Sequence, residues 1–230
     1  MRPQIFLLFG AALLLSLAPA VGNSQTTGPA GQLIVTWEAM NFFPSNFAGR
    51  ALPTDGSKVL AAVEALKGGR LVNLSRATIF WYLDNKLISR GEGLKETLFS
   101  ATRQAGDTHT VRVVAQLPEE ERLEASFQVP AGERRLAIGG VSRGAALAPG
   151  GQVALEALPY FFNIASVADL TFFWSIGGAR QPGITGNTVT MTAPTGERAV
   201  EIQLSAQGAR DPYEFAQTRI LFPVGAATNT

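Results

Sequence analysis

The stretch TIFWYLDNKLISRGEGLKETLFSATRQAGDTHTVRVVAQ, from Thr78 to Gln116, decides the fold. It begins with β-branched and aromatic residues, reaches the pair Asp84-Asn85, and returns through Lys86 to Ile88. Such a pair between two strand-like runs predicts the tight turn of a β-hairpin, because Asp and Asn tolerate a left-handed backbone. After the turn at Gly106, apolar residues occupy alternate positions from Val111 to Leu117, which predicts a strand with one buried face.

A similar pattern returns about 90 residues later as LTFFWSIGGARQPGITGNTVTMTAPTGERAVEIQLSA. The aligned positions, first copy before second, are Trp81 with Trp174, Asp84-Asn85 with Gly177-Gly178, Gly106 with Gly196, and Val111 and Val113 with Val200 and Ile202. The two tryptophans are the predicted structural core of their copies. We therefore predict an all-β chain that contains two copies of one unit, each of about 100 residues, a common size for a β-sandwich.

The boundaries follow from prolines and polar segments. Pro130 and Pro223 end the last predicted strand of each copy, and the polar run AGERR follows Pro130. The predicted organisation is a signal peptide over 1–20, a flexible leader over 21–31, a first sandwich over 32–130, a linker over 131–135, a second sandwich over 136–225 and a tail over 226–230. A linker of that length predicts an elongated and fairly stiff pair.

Composition excludes several classes of function. The formal net charge is +1, and Arg2 is the only charged side chain before residue 21, so the remainder is formally neutral. A neutral chain has no long-range field to collect nucleic acid, and we set nucleic acid aside as a partner. The chain contains no cysteine, which excludes disulfides, thiolate nucleophiles and cysteine metal sites. Each sandwich must therefore be stabilised by its apolar core.

The first residues have the pattern of an export signal. Arg2 precedes an apolar run from Ile5 to Leu17, and the small residues Ala18-Pro19-Ala20 follow it. We predict cleavage after Ala20 or Gly22, which makes the mature form secreted or resident in the cell envelope. An uncleaved N-terminal anchor is the alternative. No later segment has the roughly 18 uninterrupted apolar residues of a membrane helix, so the mature form is not expected to span a membrane.

The tryptophan-bearing strand, the tight turn, the glycine break and the following G-x-x-x-x-V-x-V strand resemble immunoglobulin-like domains, and most closely the polycystic kidney disease type of β-sandwich. The resemblance implies two tandem immunoglobulin-like sandwiches in which Trp81 and Trp174 pack across each core. His109 and Arg198 stand where that type often has a tyrosine. The stretch WYLDNKLISRGEGLKETLFSATRQAG is also similar to secreted two-domain proteins of small-genome bacteria, sometimes encoded near pilus-like appendages, which implies an envelope location.

The chain has few residues with catalytic potential. His109 is its single histidine and shares the inward parity of Val111. No G-x-S-x-G elbow accompanies it, and a catalytic triad needs a positioned nucleophile as well as a base. No further ligands have the spacing of a histidine metal site. We therefore predict no catalytic residue, no metal and no cofactor, and assign His109 a structural role near the rim of the sandwich.

The carboxylates give no clear site either. Glu119, Glu120 and Glu121 lie together at a predicted hairpin tip, where like charges remain solvated. A calcium site needs about six oxygen ligands, and the D-x-D-x-D spacing is absent. Asp84 and Asp107 are more simply explained as turn formers.

Two aromatic stretches near predicted loops are the candidate interaction surface. Their members are Phe42, Phe43 and Phe47 in the first copy and Tyr160, Phe161 and Phe162 in the second. Exposed coplanar rings would bind sugar or protein, whereas buried rings would be ordinary core, which we favour for most of them. The function expected is a non-enzymatic structural or interaction module at the cell surface, with another envelope or extracellular protein as partner. The alternative is a carbohydrate-binding module that uses these aromatic loops.

Overall fold

The computed structural model describes residues 31–118, 121–142 and 144–225. The predicted signal peptide, the leader up to residue 30, Glu119 and Glu120 of the predicted hairpin tip, and the tail lie outside the described residues. Strands dominate the described chain, and within it no helix has the length and hydrophobicity needed to cross a bilayer.

The described strands of the first half are β1 (Gly31–Ala39), β2 (Lys58–Lys67), β3 (Arg70–Val72), β4 (Thr78–Leu83), β5 (Lys86–Glu92), β6 (Glu96–Ser100), β7 (Thr108–Gln116) and β8 (Arg122–Pro130). Those of the second half are β9 (Arg135–Gly139), β10 (Gln152–Tyr160), β11 (Leu170–Ile176), β12 (Ala179–Arg180), β13 (Thr188–Thr192), β14 (Ala199–Gly208) and β15 (Phe215–Pro223), with a 3-10 turn at Val167–Asp169.

The sheets of the two halves have the same strand order. In the first half β1-β2-β6 form one antiparallel sheet, with β3 also paired to β2, and β5-β4-β7-β8 form the facing sheet. In the second half β9-β10-β13 face β12-β11-β14-β15. Two facing antiparallel sheets that bury apolar side chains between them are an immunoglobulin-like sandwich. The predicted all-β class with immunoglobulin-like sandwiches is confirmed.

Each sandwich encloses its own apolar core around a tryptophan. Trp81 and Trp174 are both fully buried. The indole Nε1–H of Trp81 donates to the Leu94 carbonyl at 3.0 Å, and that of Trp174 donates to the Gly186 carbonyl at 3.1 Å. Because the polar edge of each ring is satisfied, the rings can contribute their full apolar area to the cores.

The hairpin turns confirm the expectation from Asp84-Asn85. Asp84 and Asn85 have φ values of 48° and 67°, and Gly177 and Gly178 have 57° and 79°. Positive φ at both central residues is the type I′ geometry that suits a two-residue hairpin. The return strand is longer than predicted, since β5 continues to Glu92.

The alignment of the strands after the turn was wrong by two residues. Val111 lies opposite Leu83, the residue before the first turn, and Ile202 lies opposite Ile176, the residue before the second. Val111 therefore corresponds to Ile202 rather than to Val200. The error arises because the second copy has one more residue between its turn glycine and this strand, and alternation alone leaves a strand free to shift by two residues.

Candidate interaction sites

The two aromatic stretches meet where the sandwiches join. Phe42 and Phe162 form an isolated antiparallel bridge, in which the Phe42 N–H donates to the Phe162 carbonyl at 2.7 Å. Phe47 packs edge-on against Tyr160 and Phe161, with ring centroids 5.6 and 5.5 Å apart. Phe43 in turn packs edge-on against Phe47 at 5.7 Å. The candidate surface is therefore largely a junction within the chain.

Burial decides what these rings can offer a partner. Phe162 is fully buried and belongs to the second core, and Phe161 is only 8% exposed. Phe42, Phe47 and Tyr160 are half-buried, and Phe43 is the one exposed ring of the six. The ring planes meet at 60–73° rather than lying parallel. The arrangement therefore lacks the coplanar exposed platform that the aromatic-loop carbohydrate hypothesis requires.

A buried carboxylate stabilises the same junction. Glu214 is 4% exposed and accepts hydrogen bonds from Arg134 Nη2 at 2.5 Å, and from the backbone N–H and Nδ2 of Asn163 at 2.8 Å each. Arg134 and Asn163 both also donate to the Asp55 carbonyl of the first half. A buried charge is tolerated only when it is paired and hydrogen-bonded, and this one is. The hydrogen bonds from Arg134 and Asn163 to Asp55 therefore connect this ion pair to the first half.

Phe161 has a strained backbone at this junction. Its φ is +65°, in the left-handed region that a bulky residue rarely adopts. Its carbonyl accepts a hydrogen bond from Thr54 Oγ1 at 3.1 Å, and Ser57 Oγ donates to Asn163 Oδ1 at 2.5 Å. Strain of this kind persists where surrounding contacts determine the conformation. No signal in the sequence indicates it.

His109 forms a pair that resembles half of a catalytic triad. Its Nδ1 lies 2.8 Å from Asp84 Oδ2, and the ring is 1% exposed. However, Nε2 accepts the backbone N–H of Thr102 at 3.1 Å. In a triad this nitrogen takes the proton of the nucleophile. Because a backbone donor occupies it, His109 is unable to act as that base in this arrangement.

Asp84 has a structural role beyond its turn. Burial works against its ionisation, but the backbone N–H of Thr110, the imidazole of His109 and the guanidinium of Arg103 together outweigh burial and lower the pKa of Asp84. The carboxylate therefore connects the hairpin to the start of β7. Among the described residues, no group of three or more His, Cys, Asp or Glu side chains has a geometry suited to a metal ion.

A groove of about 870 Å³ lies on the outer face of the sheet β12-β11-β14-β15. Two cross-strand rows form it: Arg180, Ser175, Gln203 and Arg219 in one, and Phe173, Ser205 and Gln217 in the other. The sequence contains no signal of this groove, because its floor is defined by two small residues that carry no chemical signal on their own.

The corresponding face of the first half is filled. Tyr82 follows Trp81 as Ser175 follows Trp174, and Val114 lies opposite Phe80 as Ser205 lies opposite Phe173. The guanidinium of Arg112 stacks on the Tyr82 ring at 3.8 Å and pairs with Glu124 at 3.4 Å. A tyrosine and a valine thus occupy the positions where the second half has serines.

The edge strand β13 has backbone groups without partners among the described residues. The Ala193 N–H donates to Gly151 and the Asn187 carbonyl accepts from Ala157, so odd-numbered residues bond to β10. Thr188, Thr190 and Thr192 alternate with them and direct their N–H and C=O groups to the free edge. The side chains of these threonines are exposed and uncharged.

The corresponding edge in the first half carries charge. In β6 the groups that face outward belong to Glu96, Leu98 and Ser100, by the same alternation. Glu96 and the preceding Lys95 are both exposed. Charged side chains on an edge strand discourage pairing with another chain, whereas an uncharged edge permits it.

Comparisons with known proteins do not identify a family. No protein-family model matches the chain, and no curated protein matches it. The chain is similar to three N-terminal domains of the bacteriophage RB49 Highly Immunogenic Outer Capsid protein, at 12% identity and a TM-score of 0.46, over 85% of this chain and 59% of that one.

Two further solved structures show the same kind of likeness. One contains fibronectin(III)-like modules of Clostridium thermocellum CbhA, at 13% identity and a TM-score of 0.31, over 86% of this chain and 97% of that one. The other is Bacteroides ovatus SGBP-B in complex with a mixed-linkage heptasaccharide, at 15% identity and a TM-score of 0.25, over 84% and 48%. These distant similarities carry no argument about function.

Proposed function

We propose that this chain is an exported, non-enzymatic tandem immunoglobulin-like protein of the polycystic kidney disease type, with a structural or protein-interaction role at a bacterial cell surface. The signal peptide over 1–20 sends it out of the cytoplasm, to the envelope or the medium. The sandwiches over 32–130 and 136–225 present their edges and faces to another envelope or extracellular protein, in association with a surface appendage. The linker over 131–135 and the buried junction hold the sandwiches stiffly together.

The uncharged free edge of β13 carries this proposal. A row of unpaired backbone N–H and C=O groups is a template on which an extended segment adds as a further strand. Thr188, Thr190 and Thr192 direct their backbone N–H and C=O groups to this free edge. The matching edge of β6 carries Glu96, so we expect the second sandwich to make the contact.

The occupied Nε2 of His109 supports the non-enzymatic part of the proposal. A hydrolase of the serine–histidine type would need that nitrogen free and a hydroxyl beside it. The backbone N–H of Thr102 lies 3.1 Å from it. Catalysis by His109 would require the Thr102 N–H to leave this nitrogen, whereas contact with a partner through the surface requires no such change.

Proline substitutions test the edge. Thr190→Pro removes an N–H that faces outward, so it leaves the bonds to β10 intact while blocking strand addition. Leu98→Pro is the matched control, because Leu98 has the same position on β6. A photo-crosslinking amino acid in place of Thr188, used on whole cells, reports contact with an envelope protein.

We expect the chain that carries only the photo-crosslinking residue to crosslink one envelope protein, and we expect the same crosslink when Leu98→Pro is added. Adding Thr190→Pro should abolish that crosslink. Thermal unfolding must show that both variants remain folded. Recovery of the same protein with Thr190→Pro would contradict strand addition at this edge, and recovery of none from any of the three would contradict the protein-interaction role.

A further inference from the structure

We propose that the groove on β12-β11-β14-β15 binds an acidic oligosaccharide through its uronic-acid carboxylates. The proposal rests on the proposed function in that it names a second class of partner for the same exported module. The groove is on the opposite sheet from β13, so the two contacts can fail independently. Its volume of about 870 Å³ falls within the ~300–1,000 Å³ typical of ligand sites.

The charges of the lining residues favour an acidic ligand. Arg180 and Arg219 line the groove at its two sides, and no carboxylate side chain is among its lining residues. Arg219 pairs with Glu201 outside the lining, whereas Arg180 has no ion-pair partner among the described residues. A guanidinium matches a carboxylate with two parallel hydrogen bonds, so Arg180 is the side chain available to bind one.

The remaining lining provides groups that suit a sugar. Gln217, Ser175 and Ser205 offer amide and hydroxyl groups in the two cross-strand rows, which suits a ligand with many hydroxyls, whereas the Gln203 amide already donates to Glu201. Phe173 adds an aromatic ring beside Arg180, whose guanidinium lies 5.4 Å from the ring centroid. Phe215, which is 46% exposed, also lines the groove, and the faces of Phe173 and Phe215 suit the apolar faces of sugar rings.

The first half explains why the groove is specific to the second. Tyr82 and Arg112 fill the corresponding space with a stacked pair. Replacing Ser175 by tyrosine would install the first-half residue on the second-half floor. This change closes the groove with a side chain that this type of sheet already accommodates.

The test measures binding of oligogalacturonate to the full protein by calorimetry, with a neutral glucan oligosaccharide of equal length as comparison. We expect oligogalacturonate alone to bind, more weakly as salt rises. We expect Ser175→Tyr and Arg180→Gln each to weaken binding about tenfold or more. Tyr82→Ser, the reverse change in the first half, should leave binding unchanged.

Several results would overturn the proposal. These are no binding of oligogalacturonate, equal binding of the neutral oligosaccharide, or binding unaffected by Arg180→Gln in a folded variant. Tighter binding of an acidic peptide of matched charge would reassign the groove to protein recognition. If Thr190→Pro abolishes the β13 crosslink but leaves oligogalacturonate binding intact, the groove binds sugar independently of the strand-addition contact.

Discussion

The two sandwiches share their sheet order and their central tryptophan but differ in what their outer surfaces present. The first has a filled face, where Arg112 stacks on Tyr82, and a charged edge at Glu96. The second has an open groove over serines and an uncharged edge of threonines. A core constrains inward-facing positions, whereas alternate positions along the same strands are free to change. Two copies of one fold can therefore differ in function without a change in architecture.

The largest expected effect tests what the copies have in common. Trp81→Ala and Trp174→Ala should each cost about 3–5 kcal/mol of unfolding free energy, because each removes a fully buried indole. Denaturant unfolding followed by circular dichroism measures the loss. Ile220→Ala, at a site that is 38% exposed, is the control and should change stability by about 0.5 kcal/mol or less. A small loss in only one tryptophan variant would show that the cores are not equivalent.

The junction should be the next most sensitive region. Glu214→Ala removes the acceptor of three hydrogen bonds, one from a guanidinium, and should cost about 2–3 kcal/mol. Arg219→Ala breaks the surface pair with Glu201 and should cost much less. Thermal unfolding of both variants measures the difference. Equal losses would indicate that burial of Glu214 has no energetic importance.

Acid sensitivity should distinguish the turns of the two copies. The folded state lowers the pKa of Asp84 from its ordinary value of 3.8, so its stabilising contribution is complete above that pH and is lost as pH falls through the lower folded value. The second copy has Gly177 at this position and no carboxylate there. We expect Asp84→Asn to keep the turn and flatten the loss of stability below about pH 4.

Glu201 complicates this measurement of acid sensitivity. The pKa of Glu201 is also lowered, by the amide of Gln203 and then by Arg219, but the group is on the surface. Salt does not screen the hydrogen bond from the neutral Gln203 amide, so the pH profile of urea unfolding is compared between Asp84→Asn and the unchanged protein, in which the Glu201 contribution is the same. An unchanged pH profile in Asp84→Asn would contradict a stabilising role for the contacts of Asp84 with Thr110, His109 and Arg103.

The smallest effect compares the two outer faces. Arg112→Ala should cost about 0.5–1 kcal/mol, since the guanidinium lies 3.8 Å from the Tyr82 ring centroid. Arg180→Ala should cost less, because Arg180 lies 5.4 Å from Phe173 and is exposed. Chemical denaturation of the two single variants decides the order. The reverse order would mean that Arg180 has a structural role and is not held available for a ligand.

Much of the fold could be predicted from local patterns. Alternating apolar residues, the turn pair at Asp84-Asn85 and the tryptophan in each copy determine strands, hairpins and cores, because each depends on neighbours in sequence. The junction could not be predicted. Phe42 and Phe162 are both aromatic residues in irregular segments, and nothing in their surroundings indicates that they pair with each other.

The surfaces were missed for a related reason. A groove exists where side chains are small, and Ser175 or Ser205 alone carries no signal of a site. Its meaning emerges only when Tyr82 and Val114 are seen at the corresponding positions, and that correspondence requires the cross-strand register. The free edge of β13 likewise depends on which threonine groups face away from β10.

Residual dipolar couplings show whether the two sandwiches move as one stiff body. They are measured in one weakly aligned sample, from the backbone amides of β2 and β10, which lie in different sandwiches. Because the Phe42–Phe162 bridge and the hydrogen bonds from Arg134 and Asn163 to Asp55 connect the halves, we predict that a single alignment tensor fits both sets. Two tensors of clearly different magnitude would show that the junction bends, and would contradict a protein that acts by presenting its surfaces in one fixed arrangement.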